Sequence, residues 1–213
     1  MKKIFVKRLN QLFELTESVF QIIIEDPEIY RELAFAIEEN IIYSINGKEI
    51  NLLKYLLKID NCFVLDINDK RLLSSLYKRI INRITDEQKR KIMNIENLFI
   101  ELFDEISDFS EDKLVYKSEL DLQKIFNLFQ LCFQEYEKTN YLEYLLSYIK
   151  VSVDTNGTLI VVLFNLLNML KDSELHELKK ELSLIDVVLI DLTFSNNVRK
   201  INHVIIDNDW CII

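Results

Sequence analysis

The sequence predicts an α/β fold in which a head domain, with a sheet built from both ends of the chain, is interrupted by a mainly helical domain. Runs of β-branched residues near both ends are typical of buried strands. The middle of the chain has helical periodicity instead. The 213 residues include only two glycines and one proline, which disfavours all-β folds because their tight turns need positive φ angles. We therefore assign residues 1–67 and 151–213 to the head and residues 68–150 to a helical leg.

The first 67 residues predict short strands and one clear helix. Residues 19–24 form an apolar run suited to a buried strand. Asp26 is a good N-cap, and Pro27 fits the first helical position, where no hydrogen bond is lost. Asn46-Gly47 is typical of a hairpin turn. Residues 62–65 predict a further strand.

The middle of the chain predicts four helices. The first has an apolar residue every third or fourth position from residue 72 to residue 84. Thr85 and Gln88 have the spacing of a capping box and start the second helix. Its apolar stripe consists of Ile92, Ile95, Phe99, Leu102, Phe103 and Ile106. Further helices begin near residues 118 and 139.

The last 60 residues return to strands and helices in alternation. Residues 158–164 and 187–192 are continuous apolar runs, as expected for strands buried on both faces. Leu175, Leu178 and Leu182 mark a helix between them. This order indicates a parallel strand–helix–strand unit, with a third strand at residues 204–206.

No catalytic constellation is present in the sequence. A phosphate-binding loop needs glycines, a lysine and a hydroxyl, whereas the only Gly-Lys pair, Gly47-Lys48, lies in the predicted hairpin. The two histidines, His176 and His203, have the surroundings of solvated side chains. We therefore predict that the protein is not an enzyme and binds no nucleotide. A degenerate nucleotide hydrolase is the enzyme alternative.

Cysteine usage and the amino-terminal segment predict a cytoplasmic protein. The three cysteines are widely separated and form no CxxC pair, as expected for thiols in a reducing compartment. The apolar stretch after Met1-Lys2-Lys3 is too short for a signal peptide. No apolar run is long enough to span a membrane.

The informative feature is an inversion of local charge in a chain of net charge −9. Residues 68–91 contain eight basic and three acidic residues, whereas residues 94–138 contain eleven acidic residues and four lysines. The phosphates of DNA interact with the charges on the protein face turned toward them, and less with the net charge of the chain. The basic segment is therefore a candidate DNA-binding face. A solvated basic helix is the alternative. The DNA-binding candidates are Lys70, Arg71, Lys78, Arg79, Arg83 and Lys89, with a second amino-terminal group that includes Lys2 and Lys3. The acidic segment leaves a protein-binding helical adaptor as another alternative.

Three segments of the carboxy-terminal third carry a family resemblance, at residues 158–165, 187–191 and 203–213. They are similar to the end of the Csn-two family of type II-A CRISPR systems. Residues 22–26, followed by Tyr30, are similar to its opening. Residues 66–68 and 114–116 are also similar to the corresponding segments of the family. The resemblance therefore covers nearly the whole chain.

The resemblance implies both a fold and a role. The fold is an α/β head related to P-loop ATPases, without the phosphate loop, together with a helical leg. The assembly is a homotetrameric ring that binds ends of double-stranded DNA in a lysine-lined channel, without sequence preference and without nuclease or ATPase activity. The role is acquisition of new spacers during CRISPR adaptation, a form of antiviral defence, alongside the integrase proteins and the effector nuclease.

The resemblance also implies that calcium supports the assembly. An acidic stretch follows the long leg helix in the family, and here it retains four candidate calcium ligands, Glu105, Asp108, Glu111 and Asp112. The sequence departs from the family further on, where Lys113 and Lys117 occupy the second half of that stretch.

Overall fold

The computed structural model describes residues 1–107, 115, 117, 119–134, 140–194 and 201–213. The chain divides into two compact units. The first contains Met1–Ile67 and Glu135–Ile213, and the second contains Asn68–Gln134. The sequence predicts that the leg ends at residue 150, whereas the second unit ends at Gln134. The last predicted leg helix therefore lies in the first unit. The assignment of head and leg roles to the two units stays a prediction.

The first unit contains the strands and most of the helices. Its strands are β1 (Lys2–Val6), β2 (Gln11–Leu15), β3 (Val19–Ile24), β4 (Ile41–Ile45), β5 (Lys48–Ile50), β6 (Leu56–Lys58), β7 (Ile160–Phe164), β8 (Val188–Phe194) and β9 (Asn202–Ile206). Its helices are α1 (Pro27–Phe35), α2 (Ile37–Asn40), α3 (Leu52–Tyr55), α7 (Tyr141–Asn156) and α8 (Asp172–Leu184). Two short 3-10 helices lie at Lys7–Leu9 and Leu167–Met169.

A parallel sheet forms the centre of the first unit, with strand order β6-β7-β8-β3-β9. All six residues of β3 are buried, and this strand pairs in parallel with β8 and β9. Five of its six residues are apolar, and Gln21 is the exception, because packed layers cover both faces of the strand. The predicted α/β class with a parallel sheet is therefore confirmed.

A second, antiparallel sheet has the order β2-β1-β4-β5. Strands β4 and β5 form the predicted hairpin, in which Asn46 has a φ of 51° and Gly47 a φ of 77°. Two consecutive positive φ angles match the right-handed twist of the flanking strands.

Two hydrophobic cores lie on opposite faces of the parallel sheet. Ile160 and Val162 of β7 pack with Ile29 and Leu33 of α1 in one core, which also includes residues of the antiparallel sheet. The alternate β7 residues, Val161 and Leu163, pack in the other core with α7 and α8. Alternation along a strand thus divides the apolar residues between two layers.

The second unit contains three described helices, α4 (Lys70–Asn82), α5 (Asp86–Ser107) and α6 (Leu122–Leu128). The capping box at the start of α5 is confirmed, because the Gln88 side chain accepts the Thr85 backbone N–H at 2.8 Å and the Thr85 hydroxyl accepts the Gln88 N–H at 3.3 Å. None of the described helices in the chain is long and apolar enough to cross a membrane.

One predicted strand is wrong. Residues 62–65 form turns and bends, because the Asn61 carbonyl accepts the Val64 N–H at 3.2 Å and the Asn61 side chain accepts the Phe63 N–H at 3.0 Å. These bonds turn the chain away from an extended course. The strand that pairs with β7 is instead the short β6, just before this turn.

Candidate nucleic-acid interface

Helix α4 has one face packed within its own unit. Asp69 begins the helix, since its carboxylate accepts two backbone N–H groups of the first turn at 2.7 and 3.1 Å. Leu72 and Tyr77 are buried. The Tyr77 ring lies 5.3 Å from that of Phe126, and its hydroxyl donates to the Leu131 carbonyl at 2.7 Å. These contacts fix which side of α4 faces solvent.

The opposite side of α4 presents exposed basic residues. Arg71 and Lys78 are exposed on it, and Lys70 is exposed at the first position of the helix. These three residues are called the α4 cationic face below. Among the residues that the structure describes, none of the three has an ion-pair partner. Arg79 is half-buried at the edge of this face and has an interaction partner. Arg83 is exposed and is the C-cap of the helix.

The spacing of these cations suits a phosphate backbone. A helix rises about 1.5 Å per residue, so Arg71 and Lys78 lie roughly 10 Å apart along the axis. One DNA strand carries a phosphate about every 3.4 Å along its axis, so this distance spans roughly three nucleotides. Ser74 is exposed between them and adds a hydroxyl donor. Such contacts read phosphate and not base identity.

The basic residues at the start of α5 differ because two of them form local ion pairs. Lys89 lies 3.1 Å from Asp86, and Lys91 lies 2.8 Å from Glu87. Both lysine side chains are more than half exposed, and pairs of this kind contribute little energy. Lys89 is nevertheless a weaker candidate than the α4 cationic face, because the Asp86 carboxylate compensates part of its charge.

The predicted amino-terminal group is largely neutralised by the fold. Lys2 lies 2.7 Å from Asp186, and its ammonium also donates to the Asp186 backbone carbonyl at 2.8 Å. Lys3 lies 2.7 Å from Glu14. The two side chains are only 19% and 23% exposed. Lys2 and Lys3 thus have carboxylate partners where the sequence suggested an open basic group.

Helix α5 has a long apolar stripe that is only partly covered by the residues that the structure describes. None of its 22 residues is buried. Residues 92, 95, 99, 102 and 106 are apolar at alternating spacings of three and four, the pattern of a coiled-coil seam. Ile95, Phe99, Leu102 and Ile106 are between 42% and 47% exposed. We call this surface the α5 seam.

Comparison with known families places these features in context. The family model described as CRISPR-associated protein (Cas_Csn2) matches residues 35–210. The chain belongs to the CRISPR-associated Csn2 family. The predicted family resemblance is confirmed, and the match includes α4 and α5 while strands β1 to β3 lie outside it. No curated protein matches the chain.

The connection from β3 to α1 in this Csn2-family chain joins a strand to a helix, as the phosphate loop of P-loop proteins also does. Here it consists of Glu25 and Asp26 only. The Asp26 carboxylate accepts the backbone N–H groups of Glu28 at 2.8 Å and Ile29 at 2.9 Å. Amides at a helix start are what a bound phosphate needs, and these two already bond to a carboxylate.

A buried polar network connects β8 with β3 and with the loop that follows β7. The Asp191 carboxylate accepts the N–H groups of Leu166 at 2.9 Å and Leu167 at 3.1 Å, and the Thr193 hydroxyl at 2.7 Å. The Gln21 amide donates to the Thr193 hydroxyl at 2.9 Å. Burial raises the pKa of Asp191 to about 6, and these hydrogen bonds oppose the increase. The network fixes the loop that follows β7.

One of the four predicted calcium ligands lies among the residues that the structure describes. Glu105 is exposed near the end of α5. Asp108, Glu111 and Asp112 lie outside the described residues. Within the ranges that the structure covers, no group of three or more His, Cys, Asp and Glu residues is arranged to hold a metal. Calcium binding stays a prediction.

Proposed function

We propose that this Csn2-family protein is a non-enzymatic ring that binds ends of double-stranded DNA without sequence preference. Its role is acquisition of new spacers in type II-A CRISPR adaptation, in the cytoplasm and together with the integrase proteins and the effector nuclease. The α4 cationic face is the observation that carries the DNA-binding part. Family membership supports the role in adaptation.

Charge physics favours α4 as the DNA-contacting element. Lysine and arginine that neutralise phosphates release condensed counterions, which drives binding regardless of sequence. Cations already paired with carboxylates release fewer counterions, because part of their charge is compensated. This argument ranks the α4 cationic face above the paired Lys2 and Lys3.

Assembly resolves the conflict between DNA binding and a net charge of −9. Several copies that turn their α4 cationic faces toward one channel create a locally positive surface. The α5 seam supplies apolar surface for association, since apolar residues at heptad spacing pack between helices. We propose a homotetramer, because that is the assembly which the family resemblance implies.

The absence of enzymatic activity is part of the proposal. The bonded amides at the start of α1 and the glycine-free connection from β3 oppose phosphate binding. Titration calorimetry with ATP and magnesium tests this point, with no heat of binding as the expected result. Saturable binding would support the degenerate-hydrolase alternative instead.

Calcium is proposed as a support of the assembly. Carboxylates such as that of Glu105 are the ligands calcium prefers, and Lys113 and Lys117 in the same stretch reduce its acidity. Chelation is expected to reduce the tetramer mass in light scattering. An unchanged mass and melting temperature with and without chelator would remove calcium from the proposal.

The decisive experiment compares two forms of one plasmid. Linear and closed-circular forms compete for the protein in a gel-shift assay, and light scattering gives its mass on the same sample. We expect the linear form alone to compete at physiological salt, with a mass of four chains. Equal competition by both forms would exclude end recognition. A tetramer that binds neither form would favour the acidic adaptor alternative.

A further inference from the structure

A crevice in the first unit opens at the carboxyl ends of β6 and β7, where open parallel sheets bind their ligands. Its volume is about 620 Å³, within the range of binding pockets in proteins. Its walls come from α1, from the turn after β6, and from the loop after β7. The central lining residues are Tyr30, Phe35, Phe63, Phe164, Asn165 and Met169.

Large apolar side chains stand exposed around this crevice. Phe35 is 89% exposed, Phe63 65% and Met169 51%. Aromatic residues and methionine are enriched in the centres of protein interfaces. Exposure of this degree has a hydration cost that a bound apolar group would remove.

The floor of the crevice is held in place by hydrogen bonds. The Asn165 side chain donates to the Tyr30 hydroxyl at 3.0 Å and accepts the Phe194 backbone N–H at 2.8 Å. Because Tyr30 accepts this bond, its own hydroxyl proton can be donated to an occupant. Burial raises the pKa of Tyr30, so the hydroxyl stays protonated at neutral pH. A backbone carbonyl is a suitable acceptor for it.

The charges of the described residues that line the crevice balance each other. Among those residues, Lys58 and Asp60 are the charged ones, and their side chains lie 3.4 Å apart. The Lys58 ammonium also lies 5.7 Å from the Phe164 ring centroid. A site without net positive charge is unsuited to a phosphate backbone, which separates it from the α4 cationic face.

The exposed area limits the size of the occupant. An aromatic side chain offers roughly 200 Å² for burial, so Phe35 and Phe63 together present roughly 300 Å² at their exposures. A stable interface between folded proteins buries about 800 Å² on each partner. The crevice therefore matches a short peptide segment better than the face of a folded domain.

We propose that this crevice is a docking site for a short, uncharged segment of a partner protein that inserts an aromatic or large aliphatic side chain. The Tyr30 hydroxyl donates to the backbone of that segment, and Phe35, Phe63 and Met169 surround the inserted side chain. This inference is independent of the proposed DNA-binding function. Its expected insensitivity to salt distinguishes the two.

The test is a selection of random twelve-residue peptides displayed on phage against the immobilised full chain. Enriched peptides are then synthesised and titrated by fluorescence anisotropy. We expect them to share an aromatic or large aliphatic anchor. Their affinity is expected to change less than about twofold between low and high salt, because exposed charges take little part.

Single variants locate the site. Phe35→Ser and Phe63→Ser are each expected to weaken peptide binding by about tenfold, the loss typical of an interface anchor. Leu184→Ser is the matched control, because Leu184 is 72% exposed on α8 and does not line the crevice. All three variants change exposed residues, and their melting temperatures check the fold.

Three outcomes would overturn the proposal. The first is the absence of any enriched peptide with an apolar anchor. The second is equal binding of enriched peptides to the wild type and to both phenylalanine variants. The third is binding of a short oligothymidine that Phe63→Ser abolishes, which would identify the crevice as a nucleobase site.

Discussion

The two units differ in how much of their apolar surface is buried, and in how many of their basic side chains are paired, within the same unit. In the first unit, apolar side chains fill two cores and basic side chains such as Lys2 and Lys179 have acidic partners at 2.7 and 2.6 Å. In the second unit, four residues of the α5 seam are still 42–47% exposed, and the α4 cationic face has no ion-pair partner within the described residues. The difference teaches that the second unit presents whole helix faces to other molecules, whereas the first unit completes two cores and leaves one local apolar crevice exposed.

The largest expected effect comes from breaking the α5 seam. Ile95→Glu combined with Leu102→Glu places two charges on the seam, where burial between helices would cost several kcal/mol. We expect the four-chain mass to fall to that of smaller species in light scattering.

Asn94→Glu combined with Asn97→Glu is the matched control, because it adds the same charge to the opposite, polar side of α5. It is expected to leave the mass unchanged. Helical circular dichroism of both variants checks that α5 still folds. An intact tetramer in the seam variant would show that α5 faces solvent in the assembly.

The second effect concerns DNA affinity. Arg71→Ala combined with Lys78→Ala is expected to weaken binding of linear duplex by at least about tenfold for all sequences. It should also reduce the salt slope by roughly one unit for each lost phosphate contact. Fluorescence anisotropy over a salt series measures both quantities.

The control for that variant removes the same charge elsewhere. Lys48→Ala combined with Lys180→Ala changes two exposed lysines of the first unit and is expected to leave the salt slope unchanged. Equal losses in both double variants would mean that net charge alone governs binding, without a specific contribution from α4.

Sequence patterns predicted the elements better than their contacts. The strands β3, β7 and β8 and the cap at Asp26 are confirmed because apolar period and capping are local properties. The strand predicted at residues 62–65 failed because the Asn61 side chain stabilises a turn, and β6 was missed because three residues carry almost no periodic signal.

The candidate site was predictable in part for the same reason. The exposed side of α4 follows from helical periodicity. The pairing of Lys2 with Asp186 does not, because residues so distant in sequence meet only in the folded chain. The exposure of the α5 seam also could not be read from its pattern, since the same stripe is typical of a helix buried within its own domain.

The third effect concerns the stability of the first unit and its dependence on pH through Asp191. Its pKa is about 6 in the folded protein and has an ordinary value of 3.8, so the folded state binds more protons between these values. Stability from this group is therefore present below about pH 4 and is lost as the pH rises to 6, by about 3 kcal/mol at most. Asp191→Asn is expected to remove this loss.

Chemical denaturation from pH 4 to pH 7 provides the measurement. The free energy of unfolding of Asp191→Asn relative to the wild type should increase over this range. Parallel pH profiles would show that the carboxylate ionises as easily in the folded chain as in the unfolded chain.

The smallest effect comes from Lys2→Met. Loss of the contacts with Asp186 is expected to lower the free energy of unfolding by about 1 kcal/mol, while the affinity for duplex stays within about twofold. Lys7→Met is the control, since Lys7 is exposed and has no ion-pair partner among the described residues. A large loss of DNA affinity in Lys2→Met alone would place the amino-terminal group in the DNA interface after all.

The central position of β3 has a consequence for the order of folding. This strand is synthesised well before its partners β8 and β9, because Val19 pairs with Leu189 and Phe20 pairs with Asn202. Contacts between such distant residues form late, because the entropy of closing a long loop opposes them. Until β8 and β9 emerge, six apolar and amide side chains of β3 lack their neighbours, and an unpaired apolar strand is prone to aggregate. The hydrogen bonds within the helices α4 and α5 are local. These helices can therefore form after β3 has been synthesised and before β8 and β9 are available to pair with it.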